Sequence, residues 1–278
     1  DQMLEEYGVT IVDFNEGSVV PYPQGHTAKE FFLAKPAQET DALINLCKMK
    51  THALERVTGG VKNLYGCISG LHKAKGHTKY TNADIFARQL IDLNQLIAPR
   101  FCVMDGIVAM DGNGPTSGDP VKMNVLLLGN DPVAIDSVYC HLVHLDPQMV
   151  PTNVHGETMG LGTWREENIR LLSEDGEITM QEAVERFGNP DFNVDRKKQR
   201  SNLWNRFNNG FLRYFQKKPY IVTDKCKKCG VCVEACPVEG KALQFKNGRK
   251  QPPVYNYHKC IRCFCCQEMC PHKAIQVK

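Results

Sequence analysis

Cys226, Cys229, Cys232 and Cys236, the last followed by Pro237, are spaced C-x2-C-x2-C-x3-C-P, and the pattern returns 34 residues later at Cys260, Cys263, Cys266 and Cys270, followed by Pro271. Three thiolates within such a short stretch can wrap a loop around one iron–sulfur cubane, while the fourth is carried off on the next segment and reaches the neighbouring cluster. The spacing therefore predicts a pseudo-twofold pair of [4Fe-4S] clusters. One would sit on Cys226, Cys229, Cys232 and Cys270, the other on Cys260, Cys263, Cys266 and Cys236. Tetrahedral zinc is the competing use of C-x2-C pairs, but a third cysteine at the same step and a Cys-Pro ending, each present twice, favour iron and sulfur. Cys265 departs from the repeat. Taking it as a ligand breaks the register with the first half, so the expectation is Cys266 as ligand and Cys265 as a buried thiol beside it.

Residues 220–278 closely resemble the bacterial two-cluster ferredoxins. About 60 residues bury too little apolar surface to stand alone, so the cluster bonds are expected to act as the staple. Residues 217–278 hold 13 Lys/Arg against 4 Asp/Glu, a net +9, whereas residues 1–216 hold 21 against 27, a net −6. Lys225, Lys227, Lys228 and Lys259 partly offset cluster charge and could steer an acidic redox partner. Between the two motifs, 242–245 and 254–257 alternate around Asn247-Gly248, the signature of a hairpin that screens a cluster from water.

These motifs sit in a chain of 278 residues with 42% apolar and 23% charged composition, ordinary for one large or two smaller globular domains. Thirteen cysteines is an odd number and fits poorly with closed disulfide pairing; nine of them follow residue 225. No apolar run approaches the roughly 20 residues that cross a bilayer, and no export signal opens the chain. A cytoplasmic protein without a membrane or nucleic-acid partner is expected, in an anaerobic setting suited to clusters; homo-oligomerisation stays open.

The boundary is read between Phe215 and Tyr220, giving an α/β domain over 1–216 and the ferredoxin-like domain over 217–278. Upstream, 9–14, 42–46, 101–104 and 125–128 read as strands. Helical spacing runs from Asn82, a cap, to Ala98, and a second helix starts at Asp131-Pro132. Alternating strands and helices imply an open mixed sheet with helices on both faces, beside a small α+β two-cluster domain. The segment from Tyr7 to Asp13 resembles the start of an interior strand, implying an opening βα segment upstream of residue 1.

If 42–46 is a buried strand, Lys48, Lys50 and His52 lie at or beyond its C-terminal end, where open α/β sheets bind ligands. Gly59-Gly60 would let backbone amides approach an anion, with Lys62, His72, Lys73 and His77 following; a solvated basic loop is the plainer reading. Metal ligation by His52, His72 and His77 has weak support, because a step of five separates the last two. Asp105–Asp119 is a second acidic, glycine-rich segment, with Gly112 and Gly114 as cofactor-binding candidates. The step from Gly112 through Gly114 to Gly118 misses the dinucleotide fingerprint. Cys47, Cys67, Cys102 and Cys140 read as inert buried thiols, and neither Ser69 nor Ser137 has a nucleophile-elbow context.

The stretches Asn45–His52, Val61–Gly66, Asp105–Pro115 and Asp131–Asp136 resemble the domain-of-unknown-function 362 (DUF362) family, over most of residues 1–165. Members of that family often carry a fused two-cluster ferredoxin. A looser likeness to the lactate racemase family implies Lys62 and His77 as counterparts of the lysine and histidine at its nickel-pincer site. Three functions compete. In the first, the clusters feed electrons to a small anionic substrate held by Lys48, Lys50, His52, Lys62 and His77, with Lys62, His77 and His52 catalytic. In the second, the chain is a non-catalytic carrier docking on a redox partner protein. The third is a racemase-like or cofactor-maturation activity with a nickel or nucleotide cofactor.

Overall fold

The computed structural model describes residues 2–69, 72, 76, 80, 82–197 and 217–278. A four-stranded mixed sheet in the order β4-β3-β5-β6 forms the centre of the larger domain: β3 is Ile44–His52, β4 Arg56–Thr58, β5 Phe101–Asp111 and β6 Asp119–Gly129. Strands β3 and β5 are parallel, and both outer pairs are antiparallel. A separate hairpin, β1 (Gly17–Pro21) with β2 (Glu30–Ala34), precedes it.

Three of these strands are longer than their apolar runs. β3 continues through Lys48 and Lys50 to His52 because it alternates: Asn45, Cys47, Met49 and Thr51 are buried, while Ile44, Leu46, Lys48 and Lys50 face the other way. Lysines on an open face do not interrupt a ladder, so these residues lie within the strand and not beyond it. β5 runs through Asp105-Gly106 as a bulge, its register with β6 shifting between Gly106 and Val108. A Cβ on Gly106 would come 2.8 Å from Val125 and 3.0 Å from Met49, so the residue marks a close approach and not a turn. Residues 9–14, expected as a strand, form none: among the described residues no strand pairs with them, and Val9, Ile11, Val12 and Phe14 are exposed.

Local signals placed the helices well. Asn82 Oδ1 accepts from the Ile85 amide at 2.8 Å and starts the Ala83–Ile97 helix, which buries Phe86, Leu90, Ile91 and Leu93. Asp131 Oδ1 accepts from Val133 and Ala134 amides at 2.8 and 3.0 Å and starts Pro132–Leu142. The second helix packs Ile135, Val138, Tyr139 and Leu142 under the sheet with Cys47, Met49, Cys102 and Met104. The first helix packs with Val61, Leu64 and Tyr65 in a second core. The opposite sheet face exposes Ile44 at 60%, Leu46 at 70% and Leu128 at 60%.

The C-terminal domain is built from two similar halves. Pro219–Ile221 pairs with Ile275–Val277, and Leu243–Gln244 pairs with Val254–Tyr255, the hairpin expected around Asn247-Gly248. Each cysteine loop leads into a one-turn helix, Val231–Glu234 in the first and Cys265–Glu268 in the second. The backbone repeats with the sequence: Lys228 and Arg262 have φ of 57° and 58°, and Gly230 and Phe264 have φ of 92° and 60°. The expected domain boundary falls partly on 198–216, outside the described residues.

Candidate metal and electron-transfer site

Left-handed residues turn the chain sharply between successive cysteines, so three sulfurs of one loop face a common space. Cys226, Cys229, Cys232 and Cys270 line one cavity, and Cys236, Cys260, Cys263 and Cys266 line a second. Cys270 of the second motif thus lines the first cavity, and Cys236 of the first motif the second. Burial first, then the neighbouring Cys270, Cys226 and Cys229, push the Cys232 thiol up to about 11; bound iron would deprotonate such thiols outright. No three His, Cys, Asp or Glu side chains among the described residues converge on a single metal ion. Eight thiols ringing two cavities fit polynuclear cores better than isolated zinc ions.

The sulfurs also receive hydrogen bonds in matched positions. Ala242 N–H donates to Cys236 Sγ and Ala274 N–H to Cys270 Sγ, both at 3.3 Å. Tyr255 Oη lies 3.2 Å from Cys266 Sγ. Cys265 stands where the first half has Val231, is buried, and does not line the second cavity. Its thiol is hydrogen-bonded to Cys263, which together with burial raises its pKa.

The Cys265–Glu268 helix is also the docking element between domains. Gln267 is fully buried, and its Nε2 donates to the carbonyls of Gly114 at 2.8 Å and Asn113 at 2.9 Å and to Asn113 Oδ1 at 3.2 Å. Asn113 Nδ2 returns a bond to the Ile275 carbonyl at 3.0 Å, and Thr116 Oγ1 donates to the Glu268 carbonyl at 3.1 Å. Glu268 Oε1 lies 2.8 Å from His52 Nε2. His52 Nδ1 accepts from the Leu54 and Glu55 amides, both at 3.1 Å, so the ring proton is on Nε2, which donates to Glu268. Burial, then nearby Lys62, lowers the His52 pKa against the opposing pull of Glu268, and the ring is neutral.

The other sequence candidates separate into free and occupied groups. Lys48 Nζ is bound to Asp105 at 2.6 Å and to the Val108 carbonyl at 2.9 Å, and its hydrogen bond is what first lowers the Asp105 pKa. Lys50 and Lys62 are half-buried and have no ion-pair partner among the described residues. Burial, then Lys48 and Lys62, lowers the Lys50 pKa, so the cationic groups share one region. His77 lies outside the described residues.

The glycine pair does embrace an anion, but it is the protein's own. Gly60 and Val61 amides donate to the buried Asp136 carboxylate at 2.6 and 3.1 Å, and a Cβ on Gly59 would collide with that carboxylate. Gly112 N–H goes to the Asn193 carbonyl and Gly114 N–H to Thr51 Oγ1, at 2.9 and 3.2 Å. The observed partners of the 112–118 loop are thus β3, Asn193 and the C-terminal domain.

Sequence reasoning missed four residues. Gln267 and Glu268 sit inside the second motif as unremarkable spacers. Tyr65 is buried beside Cys265, Glu268 and Cys263, with burial chiefly raising its pKa. Glu55, fully buried, has no hydrogen-bond partner for either oxygen among the described residues; burial pushes it up to about 8, with Lys62 opposing. A charged residue between Leu54 and Arg56 gives no local sign of burial.

Residues 1–141 match the family described as domain of unknown function 362, which is half of the chain. This chain belongs to the DUF362 family. Its DUF362 domain is followed by a match to the 4Fe-4S dicluster domain over residues 218–271, which makes the C-terminal part an iron–sulfur electron-transfer unit. The chain is 32% identical over 226 residues to the "Thylakoid-associated protein sll1697" of Synechocystis sp. (strain ATCC 27184 / PCC 6803 / Kazusa), an alignment covering 80% of this chain and 68% of that protein. No solved structure matches it. Among the described residues, no helix of this DUF362 protein is long and apolar enough to cross a membrane.

Proposed function

We propose that this DUF362 protein carries two [4Fe-4S] clusters, the first held by Cys226, Cys229, Cys232 and Cys270 and the second by Cys236, Cys260, Cys263 and Cys266. They deliver single electrons to a small anionic substrate at the DUF362 domain. Bound clusters would supply one-electron transfer at low potential. The observation that carries the reading is one helical turn: Cys266 lines the second cavity, and two residues later Glu268 accepts from His52 at 2.8 Å. Electron transfer weakens steeply with distance, so the segment nearest the second cluster is also the one that touches the DUF362 domain.

His52 orients this contact through its fixed proton, while Lys50 and Lys62, without an ion-pair partner among the described residues, provide the charge for an anion. Lys48 is held by Asp105 at the edge of this group. A reducing cytoplasmic compartment suits a chain with thirteen cysteines, an odd number. The test is anaerobic stopped-flow oxidation of the fully reduced, iron-loaded chain by small carboxylate and phosphate-bearing oxidants. Cluster bleaching at least tenfold slower in Lys62→Ala supports the proposal. Equal rates in both proteins for every oxidant would leave only a carrier whose larger domain docks on an enzyme.

A further inference from the structure

The two thiol cavities are not equivalent toward solvent. Around the first, Cys226, Cys229 and Cys270 are half-buried and only Cys232 is buried; around the second, Cys236, Cys260 and Cys266 are buried and only Cys263 is half-buried. Their linings differ in charge as well. Lys227, Lys228 and His272 border the first cavity, whereas Pro219, Leu243, Tyr255 and Phe264 close the second without a single lysine or arginine.

Lys225 and Lys227 are exposed, and neither side chain has an acidic partner among the described residues. Arg249 adds a fourth cation to this rim, its guanidinium 2.9 Å from where a Cβ on Gly230 would stand. Asp224 and Glu234 are the acids on the same stretch of chain. Two oxidised clusters with their thiolates remove about four charges from the net +9 of residues 217–278, which leaves the surface cationic. The second cavity's opposite flank, through Glu268, is closed against His52.

From these asymmetries we infer that the Lys225–Lys228 loop is the docking face for an acidic one-electron carrier protein, so that electrons enter at the first cavity and leave from the second toward the DUF362 domain. The inference rests on the electron-transfer reading above and adds to it a partner class and a direction. Each event moves one electron: the reduced carrier loses it, the first cluster gains it, and no proton or bond changes hands. An acidic partner is selected because opposite charge raises the encounter rate at an exposed rim, an effect that falls with ionic strength. Lys241, bound to the Cys236 carbonyl, and Arg262, beside Cys260, stand near the second cavity but do not line it, and three of its four cysteines are buried, so the first rim is the better exposed of the two.

The experiment uses the full, anaerobically iron-loaded chain and a reduced, strongly acidic plant-type ferredoxin as probe, with cluster absorbance followed by stopped flow. Two double variants change charge equally: Lys225→Glu with Lys227→Glu at the rim, and Arg100→Glu with Lys122→Glu, exposed on the larger domain, away from it. Iron content and reduction by photoreduced deazaflavin, a small reductant, establish that the clusters are intact in each. The rim variant should slow reduction by the ferredoxin at least tenfold and flatten its salt dependence, while the control changes it less than twofold. Equal losses in the two variants, or a wild-type rate indifferent to salt, would overturn the assignment. The readout is electron uptake, so a dead substrate site at Lys62 leaves it unchanged. Normal uptake with no oxidant bleaching the clusters would refute the proposed function alone.

Discussion

Replacing Gln267 by Ala should loosen the contact between the two domains without emptying the second cluster site. The side chain is fully buried, and its amide donates to the Gly114 and Asn113 carbonyls at 2.8 and 2.9 Å. Gly114 is buried and Asn113 half-buried, so truncation leaves one carbonyl stranded and the other partly rescued by water. A buried carbonyl without a partner costs about 1–3 kcal/mol. Gln267 Oε1 already lacks a partner, which offsets part of the loss. The net expectation is about 1–2 kcal/mol, or roughly a 5- to 30-fold rise in the open population. Hydrogen-exchange mass spectrometry of the iron-loaded chain reads this directly: amides in 112–118 should exchange faster by that factor, while those of the Ala83–Ile97 helix do not change. Asn113→Ala attacks the same contact from the other domain, away from the cysteines, and should give a smaller acceleration of the same segment. Unchanged exchange over 112–118 in both variants would refute the idea that this amide holds the domains together.

Four further outcomes follow from the same geometry. His52 is neutral in the folded state with its pKa lowered, so the unfolded chain binds a proton first as pH falls; stability should be lost from about pH 6.5 downward, and a denaturant series with His52→Gln should show a flatter profile. Glu55 has the opposite sign: its folded pKa of about 8 exceeds the usual carboxylate value, so the folded state holds a proton that the unfolded state has released. Stability should fall as pH rises from about 4.5 to 8, and Glu55→Gln should remove that slope in urea titrations. Tyr255→Phe removes the hydroxyl near Cys266 Sγ and should lower the potential of the second cluster by about 40 mV, taking a bond roughly 1 kcal/mol stronger to the reduced core; equal shifts of both clusters in an EPR-monitored titration would contradict it. Iron chelation should unfold 217–278 and leave the larger core folded, seen as loss of protection confined to the C-terminal peptides.

The residues that could be read in advance are those whose partners are close in sequence. Asn82 and Asp131 cap the helices they precede because a cap bonds amides two or three residues away. The cysteine motifs were readable for the same reason, since their ligand spacing lies within a few residues, and residues 218–271 match the 4Fe-4S dicluster domain. Strand ends were misjudged where polarity was mistaken for termination: Lys48 and Lys50 continue β3 on an open face, and Asp105-Gly106 is a bulge inside β5.

Composition and spacing alone thus decided that this chain handles iron and sulfur, and that its C-terminal part is a basic unit attached to a larger acidic one. Only the folded chain decided which ligand face meets which domain. Glu268 and His52 are 216 positions apart, and Gly60 finds Asp136 across 76, distances over which no local pattern can specify a partner. The glycine pair illustrates the limit: its need for an anion is local chemistry, but the supply of that anion by a buried helix and not by a ligand depends on packing.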